Sequence, residues 1–160
     1  MLKYKGGTGK PDNTPNPGGD ISDTDSISYN IGDTINVASA YSPSKSSGCE
    51  LVNDTTYGNV IKINSNDSYI AINLELSEAI SGKVVKVTFN RGSYNGSITA
   101  YLDEMDENHR IETLYGGTNT WETKSVTGAN YRDTLKVTGK HTLYIKTTQS
   151  GTMISGIQFE

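Results

Sequence analysis

The stretch Tyr69-Ile-Ala-Ile-Asn-Leu-Glu-Leu76 decides how this chain is read. Ile70, Ile72, Leu74 and Leu76 recur at every second residue, and in an extended strand such residues share one face. Working outward, Lys83 to Asn90 puts Val85, Val87 and Phe89 together, and Ile98, Ala100 and Leu102 repeat the pattern. His141, Leu143 and Ile145 alternate with Thr142, Tyr144 and Lys146, and Met153, Ile157 and Phe159 close the chain. The runs are rich in Val, Ile, Thr and Tyr and are separated by Gly, Asn and Ser, which is the composition of strands and turns. No segment carries a convincing helical repeat; Leu74 to Ile80 comes nearest. About eight to ten short strands predict an all-β chain, an antiparallel β-sandwich of jelly-roll-like form over residues 31–160.

Composition narrows the function. The chain has 160 residues, enough for one domain with a core, and its 33% hydrophobic content suits a two-layer sandwich whose strands wet one face. Ten tyrosines against two phenylalanines fit half-exposed sheet positions and binding surfaces. A net charge of −4 provides no basic field, which argues against nucleic acid as partner. No run reaches the ~18 apolar residues of a membrane span. Cys49 is the only cysteine and is expected to be a small buried side chain near a strand. Nucleophilic use of Cys49 would need a histidine, and only His109 and His141 exist.

Residues 1–30 hold three of the four prolines, and Gly6 to Gly19 has linker composition with no apolar period. The string Gly6-Gly-Thr-Gly-Lys10 lacks the spacer and the Ser/Thr of a phosphate loop. Met1-Leu-Lys-Tyr-Lys5 lacks the apolar run of a signal peptide. The expectation is a flexible linker followed by a module of a longer, secreted protein.

Trp121 is the only tryptophan and stands in Leu114-Tyr-Gly-Gly-Thr-Asn-Thr-Trp-Glu-Thr-Lys124. A flat ring in a polar turn has a face to offer a sugar, while the competing reading buries it between the sheets. The polar residues Thr123 and Ser125 on its face favour exposure.

Several segments in order resemble the family 6 type of carbohydrate-binding module, a β-sandwich group that includes families 35 and 36. Asn66-Asp-Ser-Tyr-Ile70 resembles the strand with G-D-aromatic, and Ile98-Thr-Ala-Tyr-Leu-Asp103 the strand ending in Asp. Thr118-Asn-Thr-Trp121 stands where the family has T-G-G-W. Thr138-Gly-Lys-His-Thr-Leu-Tyr-Ile145 resembles G-x-H-x-L-Y-L, and Ile154-Ser-Gly-Ile-Gln-Phe159 the last strand. The resemblance implies a non-catalytic module, a monomer, that holds a covalently linked catalytic domain against plant cell-wall polysaccharide.

Departures from the family pattern are equally informative. The family's first strand carries E-A-E, whose glutamates help bind a structural calcium; here the stretch is Val37-Ala-Ser-Ala-Tyr41. Ser155 replaces the Asp of the last strand, so no cofactor is expected and the calcium is judged absent. Met153 stands near the position of the family's sugar-binding Asn. The family's second sandwiching aromatic corresponds to Lys62, with Tyr57 near enough to compensate. A ring facing a lysine suits a uronic acid, and Lys124 adds a second cation if its strand places it on the face of Trp121. Candidate ligand contacts are therefore Trp121, Lys62, Tyr57, Asn119 and Lys124, with Tyr94 and Tyr115 as further exposed rings. For Lys62 an ordinary solvated charge is the competing reading.

The acidic run Asp103-Glu-Met-Asp-Glu-Asn108 lacks EF-hand spacing and reads as a charged hairpin tip. Adjacent acids on one loop do not face each other across a cleft as glycoside hydrolysis needs. His141 reads as a framework residue. The expected function is glycan binding that favours pectin or glucuronoxylan. Neutral xylan or β-glucan binding is one alternative, and a structural or adhesion sandwich is another.

Overall fold

The computed structural model describes residues 25–92, 96–115, 119–126 and 131–160. Tyr94 and residues 116–118 of the glycine turn lie outside them. Among the described residues the strands are β1 (Ile27–Tyr29), β2 (Thr34–Asn36), β3 (Cys49–Asp54), β4 (Gly58–Ile63), β5 (Tyr69–Leu76) and β6 (Val85–Asn90). They continue with β7 (Ser97–Leu102), β8 (Arg110–Tyr115), β9 (Trp121–Val126), β10 (Gly139–Thr147) and β11 (Met153–Phe159). One sheet has the order β9-β6-β11-β4-β3, with β2 also on β11; the other runs β1-β5-β10-β7-β8. All pairings are antiparallel except β1 with β5.

The alternation read from the sequence is the alternation of the core. Ile70, Ile72, Leu74 and Leu76 of β5 pack with Leu143 and Ile145 of β10 and with Val85, Val87 and Phe89 of β6. Burial of these side chains between the sheets supplies the main driving force. The expected β-sandwich is the observed fold.

Three local assignments need correction. First, the sandwich begins inside the segment read as linker: Ile27–Tyr29 pairs in parallel with Leu74–Leu76, and Tyr29 is buried. Its ring meets Phe159 edge-on at 6.0 Å, and its hydroxyl accepts the Phe159 N–H at 2.8 Å. Three residues carry too little periodicity to stand out against a linker composition. Second, the stretch compared with the family's first strand is a single helical turn, α1 (Val37–Ala40). The Asn36 side chain caps it by accepting Ser39 N–H, and Val37, Ala38 and Ala40 are buried. Third, Met153 does not share a face with Ile157 and Phe159. An extra residue, Ser155, breaks the register of β11 with β6 between Ile154 and Gly156. A bulge of this kind inverts the phase of alternation, so Ile154 enters the core and Met153 lies half-exposed on the outer face.

The same strand has a divided edge. Met153 and Ile154 pair with Lys62 and Ile61 of β4, while Gly156–Gln158 pair with β2. Only two residues of β4 are therefore tied to β11, and its start, Gly58–Val60, is tied only to β3.

Removing the Tyr29 hydroxyl strips a buried N–H of its partner. The Tyr29→Phe variant is expected to lose about 1–3 kcal/mol of stability with an unchanged denaturant slope, measured by urea unfolding followed through Trp121 emission.

Candidate functional site

Trp121 opens β9, the edge strand of its sheet, and sits opposite Asn90 of β6. Asn90 is in turn opposite Met153 of β11, Met153 opposite Lys62 of β4, and Lys62 opposite Glu50 of β3. Residues directly opposed across a sheet share a face. Trp121, Asn90, Met153, Lys62 and Glu50 thus form one row on the outer face, away from the core. Trp121 is half-exposed, which removes the alternative of a ring buried between the sheets.

Tyr57 comes from the β3–β4 turn, at the far end of the strand order, yet its ring meets that of Trp121. Their centroids lie 4.6 Å apart at an interplanar angle of 53°. Tyr57 is 43% exposed, so the pair presents ring surface to solvent. Two parallel rings that grip a sugar need van der Waals contact on both sides, a gap of roughly 7–8 Å. The observed pair leaves no such slot. It forms an angled corner on which a pyranose can stack from one side.

Asp54 organises this corner. Its Oδ2 accepts the backbone N–H of Thr56 at 2.7 Å and of Tyr57 at 3.0 Å, an Asx turn. Desolvation pushes the Asp54 carboxyl up, but the backbone hydrogen bonds from Tyr57 and Thr56, aided by the nearby Trp121 side chain, outweigh it and hold it below the ordinary aspartate range. Sequence reasoning missed Asp54 as a site residue. The run Asn53-Asp-Thr-Thr-Tyr-Gly58 signals a turn, but nothing in it signals that Asp54 sets the turn whose tyrosine meets Trp121.

Asn90 was missed as well. It is buried beside Trp121, and its Oδ1 accepts the Gly92 N–H at 2.9 Å, so its NH2 group is what it offers a ligand. On the opposite face of the same strand end lies Arg91, fully buried, with Glu122 of β9 near enough to counter the lowering of its pKa by burial. A Cβ on Gly96 would lie 1.7 Å from the Arg91 Nη2, so any side chain there would have to displace that guanidinium.

The expected residues meet different fates. Tyr57 and Trp121 are brought together. Asn119 is exposed just before β9. Lys62 shares the row of Trp121 but stands three strands away, about 14 Å at ~4.8 Å per strand. It does not face the ring directly, and the carboxylate opposite it is Glu50. Lys124 is a correction. It is three residues from Trp121, an odd offset, and pairs with core residue Val87, so it projects from the other face of the sheet. Tyr115 is 72% exposed at the end of β8, in the other sheet.

His141 takes the framework role expected of it. Its Nδ1 lies 2.7 Å from Asp103 Oδ2 and its Nε2 3.0 Å from the Thr138 carbonyl, while Asp103 Oδ1 accepts the Thr142 N–H. Elsewhere in the acidic run, ligand atoms of Glu104, Asp106 and His109 lie within 4.8 Å of one another, but Asp106 Oδ1 is taken up by the His109 backbone and ring. Glu107 is paired with Arg110 and Arg132. At the positions of the family's calcium ligands the chain has buried Val37, Ser39 bonded to Asn36, and Ser155 at the bulge. That donor set contains no carboxylate and does not fit calcium.

No protein-family model and no curated protein sequence matches the chain. Solved structures do match in shape. A family 6 carbohydrate-binding module studied by sub-site dissection superposes with a TM-score of 0.65 at 16% identity, covering 86% of this chain and 98% of that one. The fold is that of the family 6 carbohydrate-binding modules. A family 6 module from Clostridium cellulolyticum in complex with xylose gives 0.63 at 18% identity, covering 82% and 99%. The family 43 arabinoxylan arabinofuranohydrolase from Bacillus subtilis, in complex with cellotetraose, gives 0.61 at 16% identity over 84% of this chain and 28% of the enzyme. Among the described residues no helix is long and apolar enough to cross a membrane.

The depressed Asp54 carboxyl has a pH consequence with a definite sign. A carboxyl lowered in the folded state contributes above its unfolded value, about 3.9, and that contribution is lost as pH falls through the folded value. Trp121 emission is therefore expected to stay constant from pH 7 to the ordinary aspartate range and to change only below it, in a fluorescence titration. A transition centred above that range would contradict the hydrogen bonding of Asp54.

Proposed function

We propose that this chain is a non-catalytic carbohydrate-binding module that holds plant cell-wall polysaccharide on the Tyr57–Trp121 corner. The observation that carries the reading is the half-exposed pair of rings in contact on the outer sheet face. An aromatic ring packs on the C–H face of a pyranose, and the polar residues beside it, Asn90 and Asn119, supply hydrogen bonds to hydroxyls. One-sided stacking with a few hydrogen bonds worth ~6 kcal/mol corresponds to a dissociation constant of about 10–100 µM. Such affinity suffices for a module tethered to a catalytic domain, which is the partner we propose, in a secreted protein. The solved arabinofuranohydrolase contains a domain of this shape within an enzyme chain, which supports that arrangement. Absence of catalysis is supported by the engagement of Asp103, Asp106 and Glu107 in structural hydrogen bonds and ion pairs.

Acidic glycans, pectin or glucuronoxylan, are the preferred class. Lys62 lies in the row of Trp121, and at three strand spacings its ammonium meets the carboxylate of a neighbouring sugar along the chain rather than that of the stacked one. Neutral xylan or β-glucan is the second reading, favoured by Glu50 opposite Lys62 and by the neutral sugars in the solved complexes.

Affinity electrophoresis in gels containing polygalacturonate, glucuronoxylan, unsubstituted xylan or mixed-linkage β-glucan separates these readings. Retardation is expected in the acidic gels, undiminished by a calcium chelator, and Trp121→Ala should abolish it. Lys62→Ala and ~1 M salt, where the Debye length falls to ~3 Å, should weaken acidic binding selectively. Retardation by neutral glycans alone removes the uronate reading. Absence of retardation in every gel leaves a structural or adhesion sandwich.

A further inference from the structure

The outer-face row of Trp121, Asn90, Met153, Lys62 and Glu50 is uneven in what it can bond. Trp121 has only its indole N–H, Lys62 is an ammonium with donors alone, and Met153 has only a weakly accepting sulfur. An asparagine has both an accepting oxygen and a donating NH2, so Asn90 could tip the balance either way. One hydrogen bond decides it. Asn90 Oδ1 accepts the Gly92 N–H at 2.9 Å, and a backbone N–H can be met only by the oxygen end of an amide.

That bond is held from both sides. Asn90 ends β6 in register with Trp121 and Met153. Gly92 stands at φ 69°, and a Cβ on it would lie 2.7 Å from the Gly151 carbonyl oxygen, so its backbone is close against the β10–β11 turn. The turn is tied to β4, with Gly151 N–H donating to the Ile63 carbonyl at 2.7 Å and Ile63 N–H to that of Thr152 at 2.8 Å. Asn90 is only 8% exposed, and no acceptor among the described residues takes up its NH2. A donor so covered and without a protein partner is unfavourable. A ligand laid on Trp121 would supply the partner.

At the far end of the row Glu50 is already engaged, its Oε2 accepting from the Asn64 NH2 at 2.8 Å. From Trp121 to Lys62 a bound group therefore meets donors and no oxygen acceptor that is not already in use. A hydroxyl can accept there but must donate to water. A carboxylate only accepts, and its hydrogen bonds are roughly twice as strong as neutral ones.

We propose that Asn90 is the specificity-determining residue of the aromatic corner: its NH2 donates to the carboxylate of the sugar stacked on Trp121, so the stack itself takes a uronate. The inference rests on the reading of that corner as the sugar platform. Asn90 chooses the charge of the stacked sugar, while Lys62 serves its neighbour along the chain. Because the amide is fixed before the ligand arrives, little ordering is left to be done on binding.

The test uses the full chain with Asn90→Asp and Asn90→Ser, in gels of polygalacturonate, its methyl ester and unsubstituted xylan. Both replacements keep an oxygen that can accept the Gly92 N–H, so both are expected to fold with a urea midpoint near that of the wild type. Asn90→Asp puts an anion where the NH2 was. Its affinity for polygalacturonate is expected to fall about ten- to a hundredfold, the scale of a lost hydrogen bond to a charged group, and its affinity for xylan by less than about threefold. Asn90→Ser removes the NH2 without adding charge. It should lose about five- to tenfold on polygalacturonate alone, which separates the missing donor from simple repulsion. Wild-type affinity for polygalacturonate in Asn90→Ser would overturn the proposal. So would equal losses on polygalacturonate and xylan in both variants, which would make Asn90 a general contact. If neither variant folds, the Lys62→Ala chain decides: a remaining preference for the acid over its methyl ester upholds Asn90 as a second reader of charge, and no preference overturns it. A wild-type chain retarded by no glycan sinks the sugar-binding reading and this inference with it. Equal retardation of the wild type and both variants sinks the inference alone.

Discussion

The divided edge of the last strand is the constraint on which the rest of this molecule depends. Met153–Phe159 lies in the middle of its sheet, paired with Val85–Asn90 on one side at every residue but Ser155. On the other side it is shared, two residues to Ile61–Lys62 and three to Thr34–Asn36. A single extra residue, Ser155, makes the division possible by shifting register between the two halves. Had Gly58–Ile63 paired along its whole length, the turn carrying Tyr57 would be held flat in the sheet plane. Freed from the ladder beyond Ile61, that hairpin brings Tyr57 to Trp121.

Two kinds of interaction therefore divide the work. Burial of alternate Ile, Val, Leu and Phe between the sheets holds the sandwich together and is indifferent to what lies on the outer faces. Directional hydrogen bonds fix the places where the pattern alone would leave freedom. Tyr29 ties the first strand to Phe159, Asp103 ties a strand end to His141 and Thr142, and Asp54 fixes the turn that carries Tyr57. The buried Arg91, with Glu122 nearby and Gly96 giving it room, sits under the strand end from which Asn90 reaches the outer face. The outer row can then differ from its structural neighbours without disturbing the core. Met153 and Lys62 stand where the resembled family has an amide and a ring, and both are accommodated by a sheet whose inner face is conventional.

The geometry also changes what the aromatic residues can do. Rings in contact at 53° cannot close on both sides of a sugar, so they act as a surface rather than a slot. A surface of that kind contributes less to affinity and places more weight on its polar neighbours. Asn90, in the row between Trp121 and Met153, stands one strand from the place where the family pattern has its amide.

The sequence by itself determined the all-β class, the antiparallel sandwich and nearly all of its core, because a period of two is a local property that survives in every strand with a wet face. It also singled out Trp121 and Tyr57, since a ring in a polar turn is unusual wherever it occurs. What it could not carry was phase and partnership. The bulge at Ser155 inverted the face of Met153, an odd offset sent Lys124 to the other side from Trp121, and three residues at Ile27–Tyr29 were too few to show a period. The contact of Tyr57 with Trp121 joins segments far apart in the chain. Only the tertiary structure decided it, because register and hairpin direction are set by the sum of pairings across the sheet and by no residue's own neighbours.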